Sequence, residues 1–255
     1  MQHPKTAPIG AQLYTVRDAL RSDLPGTVSH LAESGLSFVE GFRLSEFPGL
    51  TAHLESRGLT MPLAHERVVS SPDTTTWNAT YAHAAASGVD IVIDPGVAAD
   101  KWNEVDGIAR TAERMRSAAS LAREHGVRLG YHNHAHDLDL QDDGRTTLEH
   151  FADLVDGAVV FEIDVYWAVR AGVDPVSLIS SLGDRVAALH LKDAPSDSTE
   201  VIDQVPLGLG AVPIMECIAA APDSAFQIIE FDDSRWDPLQ AMVLSRAWLE
   251  AATRR

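Results

Sequence analysis

The stretch Val127-Arg128-Leu129-Gly130-Tyr131-His132-Asn133-His134 decides how this chain is read. It follows Gly126, which closes a long helical pattern, and its side chains suit a short β-strand. Strand side chains alternate faces, so Gly130, His132 and His134 share one face and Leu129 and Tyr131 the other. Two imidazoles pack poorly in an apolar core, so the end of this strand is expected to enter a polar pocket. Three later stretches repeat the arrangement. Val160–Asp164 places Glu162 and Asp164 on one face, Ala188–Asp193 does the same with His190 and Lys192, and Ile228–Glu230 offers Glu230. Imidazoles and carboxylates at the tips of successive strands read as a metal site at the mouth of a barrel.

Outward from these strands, one punctuation recurs: a helical segment, a glycine, a short apolar strand. Gly35 precedes Leu36–Glu40, Gly58 precedes Leu59–His65, and Gly88 precedes Val89–Asp94. Gly126, Gly157 and Gly183 precede Val127–His134, Ala158–Asp164 and Val186–Lys192. Glycine takes the left-handed cap conformation that ends a helix, so the repeat predicts βα units and a parallel sheet. Ile9–Tyr14 and Phe226–Phe231 bring the strands to eight. The unit length is about 32 residues, that of a (β/α)8 TIM barrel, and the α/β chain is read as a single domain over residues 1–255. No GxGxxG follows the first strand, so a dinucleotide fold has no support. Asn103–His125 is predicted as one long helix, and Asp174-Pro175 and Asp237-Pro238 as helix starts.

Composition narrows the function. The 255 residues carry a net charge of −17 and are 45% hydrophobic. An acidic surface repels phosphate backbones and anionic lipid, which argues against nucleic acid and membrane partners. The lone Cys217 excludes an internal disulfide and suits a reducing, cytoplasmic setting. Met1–Pro8 has no apolar core of a secretory signal, and no apolar run is long enough to span a bilayer.

In a barrel the reacting groups come from strand carboxyl ends and the loops after them. Listing inward polar residues there gives Gln12, Glu40, His65, His132, His134, Glu162, Asp164, His190, Lys192 and Glu230. Glu162, Asp164 and Glu230 would repel one another in a small mouth unless a cation sat between them. Lys192 is one candidate and a divalent metal the other; mixed imidazole and carboxylate donors suit manganese foremost, with cobalt, magnesium or zinc as alternatives. His65 taken alone reads as a core histidine, and Glu162 equally as a metal ligand or as a buried partner of Lys192 or of a ligating histidine. Asp94-Pro95 reads as a strand end. Trp77, Trp102, Trp236 and Trp248 read as packing, and Trp167, just past the sixth strand, as packing or a pocket wall.

Six motifs carry a family resemblance: Ile9–Asp18, Tyr131–His134, Asp164-Val165-Tyr166-Trp167-Ala168, His190-Leu191-Lys192-Asp193, Pro206–Gly210 and Ile229-Glu230-Phe231-Asp232. Together they resemble the sugar phosphate isomerase/epimerase family of xylose isomerase-like TIM barrels, in order and over almost the whole chain. The resemblance implies a divalent metal held by strands five to eight, on His132, Asp164, His190 and Glu230 here. Relatives usually carry a glutamate where this chain has His132, so the fifth- and eighth-strand glutamate pair of the epimerases is incomplete. Histidine-rich fifth strands also occur in inosose dehydratases and keto-sugar lyases of the superfamily. Leu209 stands where relatives often carry a polar residue.

The reading is a metal-dependent enzyme acting beside the carbonyl of a keto-sugar, polyol or sugar phosphate. A base, Glu230 or His134, removes the adjacent proton to give an enediolate, Lys192 steadies the oxyanion, and Glu162 supports the metal shell. Gln12, Glu40, His65 and Trp167 are placed around the substrate. Returning the proton elsewhere gives isomerisation or epimerisation; losing a β-hydroxyl gives dehydration, the alternative. A non-catalytic sugar-binding barrel is the reading from another class, and a homo-oligomer is compatible with all three.

Overall fold

The computed structural model describes residues 8–71, 73–103 and 106–254. The opening residues 1–7, on which most of the secretory-signal reading falls, lie outside the described residues, as do 104–105 within the predicted Asn103–His125 helix. Eight parallel strands close a barrel in sequence order. They are β1 (Ile9–Gln12), β2 (Phe38–Phe42), β3 (Thr60–His65), β4 (Ile91–Asp94), β5 (Arg128–His132), β6 (Val160–Asp164), β7 (Val186–Leu191) and β8 (Phe226–Ile229). The predicted (β/α)8 barrel is thus the fold. No helix among the described residues is long and apolar enough to cross a membrane.

The helix–glycine–strand punctuation has its expected cause. Gly88 and Gly126 have φ of 77° and 74°, and nothing lies within 4 Å of where a side chain would start. Backbone conformation rather than crowding calls for glycine there. The Asp174 carboxylate caps Val176 and Ser177, and Asp237 caps Gln240, so both Asp-Pro pairs start helices. The long helix runs over Gly107–Glu124, after a short turn of helix at Ala99–Trp102.

Two layers of core hold the barrel. Between strands and helices lies the larger, with Tyr131, Phe151, Phe161 and Trp102 among its fully buried side chains. Inside the barrel, Phe38, Leu63, Ile91, Ile93, Ala188 and Ile228 form the floor. Glycines make room for the large side chains there. A methyl group on Gly10 would meet the Phe38 ring at 2.3 Å, and one on Gly130 would meet Ile93 Cδ1 at 2.4 Å. Above this apolar floor the interior turns polar.

Strand bounds differ from the sequence reading by a residue or two, and the early stops of β5 and β1 have their reasons at the mouth. β5 stops at His132, because Asn133 holds β6 through its side chain and the His134 amide turns to a side chain, neither through the strand ladder. Asn133 Oδ1 accepts from the Asp164 amide at 2.9 Å, and the His134 amide donates to Asp137 Oδ2 at 2.7 Å. β1 stops at Gln12, whose Oε1 accepts from the Tyr14 amide at 3.0 Å and starts a tight 3-10 turn over Leu13–Val16. β2 begins at Phe38, opposite Gly10, two residues later than the hydrophobic run suggested.

Candidate active site

The polar layer begins with two buried carboxylates directly above the floor. Glu40 from β2 accepts from Gln12 Nε2 at 2.8 Å, and its Oε2 lies 2.6 Å from His190 Nε2. Glu162 from β6 gathers three imidazoles on Oε2: His65 Nε2 at 2.6 Å, His132 Nδ1 at 3.0 Å and His190 Nε2 at 3.1 Å. Burial raises Glu40 to about 7, helped by the neighbouring Glu162 charge. Burial raises Glu162 too, but His190 and His65 overcome it and hold this group well below the usual carboxylate range. Glu162 is therefore the ionised member, and the one that anchors the histidines.

This anchoring sets which ring nitrogens face upward. A nitrogen held on a carboxylate carries the proton, leaving the other as the lone-pair donor. His132 thus presents Nε2, which is 3.8 Å from Asp164 Oδ2. His190 turns Nδ1 upward, 2.6 Å from Glu230 Oε2, and against its burial the Glu162, Glu230 and Glu40 charges hold this imidazole well above its ordinary value, so a cation at Nδ1 would take the place of a proton. Donor atoms of Asp164, His190 and Glu230 all lie within 4.8 Å of one another. His190 Nδ1 and Asp164 Oδ2 are buried yet have no well-aligned hydrogen bond, despite these close neighbours. Atoms that converge without pointing at each other are what a small cation requires, and the donor set of imidazoles and carboxylates fits a divalent metal. His65, His132, Glu162 and His190 also stand close enough to group around a cation, but their N–H groups are already committed to Glu162 and Glu40.

Positive charge among the carboxylates comes from Lys192. Its Nζ is 2.9 Å from Asp164 Oδ2, 2.8 Å from Glu230 Oε2 and 2.8 Å from Asp232 Oδ2. Burial works to lower this lysine; Asp164, Asp232 and Glu230 outweigh it and hold it well above its ordinary value. Glu230 is correspondingly held low, against its burial, by Lys192 and His190. Asp232 is tethered from the far side by Gln204, whose Nε2 donates to Oδ2 at 2.9 Å and whose Oε1 accepts from the Asp232 amide at 2.8 Å. Asp232 and Gln204 were not among the sequence candidates. The spacing Glu230–Asp232 repeats that of Glu162–Asp164 and is the signal that finds the first; nothing local finds the second.

A cavity of about 190 Å³ opens above these groups, lined by His65, His132, His134, Glu230 and Asp232 within and by Tyr14, Arg43 and Arg67 further out. His134 is one of three imidazoles in this lining. Burial and the Lys192 charge lower it to about 4, so it is a neutral imidazole near pH 7. Trp167 stands behind it with ring centroids 5.8 Å apart, backing His134 rather than lining the cavity. Gln12 and Glu40 are fully buried beneath the histidines and also do not reach the cavity. Trp236, read as packing, is instead 38% exposed on the loop after β8, its amide held by Ser234 Oγ and its ring left at the surface.

Two aspartates fix the rim. Asp94, read as a strand end, accepts from the Val68 and Val69 amides at 2.9 and 2.6 Å and from Gly96 at 3.1 Å, tying the loop after β3 to β4. Asp193 binds the amides of Ala194, Gly208, Gly210 and Val212, all within 3.0 Å, and so shapes the glycine loop after β7. Leu209, at the tip of that loop, is 60% exposed.

A closed βα barrel with imidazole and carboxylate donors on its carboxyl rim defines the class. Residues 28–252 match the model of the xylose isomerase-like TIM barrel family, and the chain belongs to that family. An inosose dehydratase of Geobacillus kaustophilus is 30% identical over 151 residues, which are 55% of this chain and 46% of that protein. The chain therefore matches less than half the length of this relative. A sugar phosphate isomerase/epimerase of Parabacteroides distasonis has a TM-score of 0.73 at 21% identity, covering 98% of this chain and 96% of that one. A xylose isomerase-like TIM barrel protein of Mycobacterium smegmatis, solved in complex with magnesium, has a TM-score of 0.72 at 17% identity, covering 99% and 98%. At such identities the structural likeness speaks for the fold.

Proposed function

We propose that the chain is a divalent-metal-dependent isomerase or epimerase acting beside the carbonyl of a small sugar, polyol or sugar derivative. The observation that carries this reading is the convergence of Asp164, His190 and Glu230 donor atoms within 4.8 Å beneath a cavity that also exposes His134. His132 completes the donor set through Nε2, with Glu162 and Glu40 holding the two histidines from below. Bound there, a metal of the manganese, cobalt, magnesium or zinc kind supplies Lewis acidity to a substrate carbonyl. The chain's own groups do the rest. His134, neutral at working pH, takes the proton from the adjacent carbon; Glu230, held ionised beside Lys192, is the alternative base. Lys192 places its ammonium near the oxygen that gains charge. Returning the proton to another face or carbon gives the epimer or isomer.

A second reading, dehydration, is favoured by one specific feature. Position 132 carries an imidazole, and Glu162 is locked beneath three histidines, so among the described residues the other carboxylate lining the cavity is Asp232, which shares Lys192 with Glu230. An acid that protonates a departing hydroxyl is then as well provided for as a second base, and the similarity to an inosose dehydratase points the same way.

The test is turnover in D₂O followed by NMR over keto-sugars, inososes and sugar phosphates. A deuterated epimer or isomer is expected; an unsaturated or deoxy product selects the second reading. His134→Gln is expected to keep its metal by elemental analysis and to lose ~10²-fold or more in turnover, the range for removing a general base. Full activity after complete metal removal would overturn both readings.

A further inference from the structure

The outer part of the cavity carries charge opposite in sign to the molecule as a whole. The chain's net charge is −17. Yet the two acids that line the cavity, Glu230 and Asp232, each sit 2.8 Å from the buried Lys192 ammonium, which they share with Asp164 and which draws them to the inner end of the cavity. The charges left facing the opening are Arg43 and Arg67. Both are exposed, and they follow the adjacent strands β2 and β3, so they stand together on one side of the mouth. Arg67 has no hydrogen-bond or ion-pair partner among the described residues. Arg43 makes one pair, 3.2 Å from Glu46, and that carboxylate is shared with Arg21 at 3.2 Å. Exposed pairs of this kind hold a side chain only weakly.

Arg43 is also held in place by its backbone. Its φ is 42°, in the left-handed region that non-glycine residues seldom enter. The Arg43 amide donates to the His65 carbonyl at 3.0 Å, and the next amide, Leu44, donates to Glu66 Oε1 at 2.7 Å. Those two bonds from the β3 side fix the turn that brings Arg43 to the mouth. Strained conformations kept by their surroundings are common where a ligand is clamped. Behind the arginines, Tyr14 and Phe42 pack edge to face at 5.4 Å and give that side of the cavity a rigid apolar wall.

We propose that Arg43 and Arg67 bind an anionic end of the substrate, a phosphate ester or a carboxylate, while its carbonyl end meets Glu230 and His134. This rests on the reading of the cavity as the active site. Planar guanidinium groups match both oxyanions with paired N–H donors, whereas a neutral polyol would leave Arg67 with water alone. One cavity of about 190 Å³ joins the arginines to the reacting groups, so a single small molecule spans both.

The experiment is isothermal titration of wild type, R43Q, R67Q and the double variant, each loaded with Mn²⁺. The probes are D-fructose, D-fructose 6-phosphate and 5-keto-D-gluconate. An anionic probe is expected to bind wild type roughly tenfold or more tighter than D-fructose, the effect of a charged hydrogen-bonded pair. R67Q should remove most of that preference and leave D-fructose binding unchanged. Preference for the phosphate ester assigns a phosphate, and preference for the keto-acid a carboxylate. Equal binding of neutral and anionic probes would overturn the proposal. So would an anion preference that survives in the double variant, since the anion would then be held at the cation or Lys192. Both arginines are exposed, so the variants should melt with wild type. Binding is read without turnover, so a protein that prefers anions yet exchanges no deuterium separates this proposal from the reaction proposed above.

Discussion

At the scale of single residues, the site depends on a carboxylate that never touches the cavity. Glu162 holds His65, His132 and His190 at once, and that contact decides which nitrogen each of the last two presents. Glu162→Gln keeps the shape but supplies an amide that accepts on one atom and donates on the other. It is expected to lower metal affinity by ~10–100-fold, the range found when partners of ligating histidines are removed. Competition with a chromophoric chelator measures this; unchanged affinity would mean that His132 and His190 orient themselves. Lys192 shows a second lesson of this scale. The sequence reading offered lysine and metal as alternative cations, whereas the lysine's tether to Asp232 and Gln204 gives Nζ a second anchor beside the donors.

At the scale of elements, the barrel floor and the rim loops make separate predictions. Gly130→Ala would put a methyl group 2.4 Å from Ile93 Cδ1 inside the barrel. Overpacking of a closed core costs ~1–3 kcal/mol, so urea denaturation should show that loss. A variant as stable as wild type would mean that the Ile93 side chain turns aside freely. Asp94 ties the β3 loop to β4, and burial raises it to about 6 from an unfolded value near 3.8. A carboxylate whose folded value is raised keeps more protons in the native state between those limits. Its contribution is full below the lower value and falls as pH rises through the upper one. Asp94→Asn lacks that titration and loses the acceptor either for the Val68 and Val69 amides together or for the Gly96 amide. The stability gap between wild type and Asp94→Asn should therefore be larger at pH 4 than at pH 7. A gap that widens toward pH 7 would contradict the burial argument.

For the whole molecule, the question is how the mouth balances its charge. Asp164, Glu230 and Asp232 share one ammonium. A cation bound only to the folded chain stabilises it by mass action, by ~4 kcal/mol at a thousandfold excess over Kd. Removing metal with a chelator should lower Tm, and Mn²⁺ should restore it. An unchanged Tm would identify Lys192 as the sufficient counter-charge. In Lys192→Met the fall on chelation should be larger than in wild type, because the three carboxylates then have no nearby substitute for the metal.

Much of this protein is legible along the chain because its cues are local. Gly35, Gly58, Gly88, Gly126 and Gly157 mark helix ends through a single backbone angle each, and all five have φ between 70° and 80°. The period of two in a strand places His132, Glu162, Asp164, His190 and Lys192 on the inner face without knowledge of any neighbour. Eight such strands imply the barrel, and a barrel gathers their carboxyl ends. What the chain order could not reveal is which of these groups meet. Glu40 and His190 are 150 residues apart and come to 2.6 Å only when the barrel closes. The same closure puts Glu162 under the imidazoles instead of beside Lys192, seats Gln12 and Glu40 below the cavity, and brings Asp232 and Gln204 to the lysine. It also stands Arg43 and Arg67 together at the rim, where neither lies in a strand pattern that alternation can read. Face is a property of one strand; partnership is a property of the closed sheet and its loops, and it is the partnership that selects tautomer, charge and chemistry.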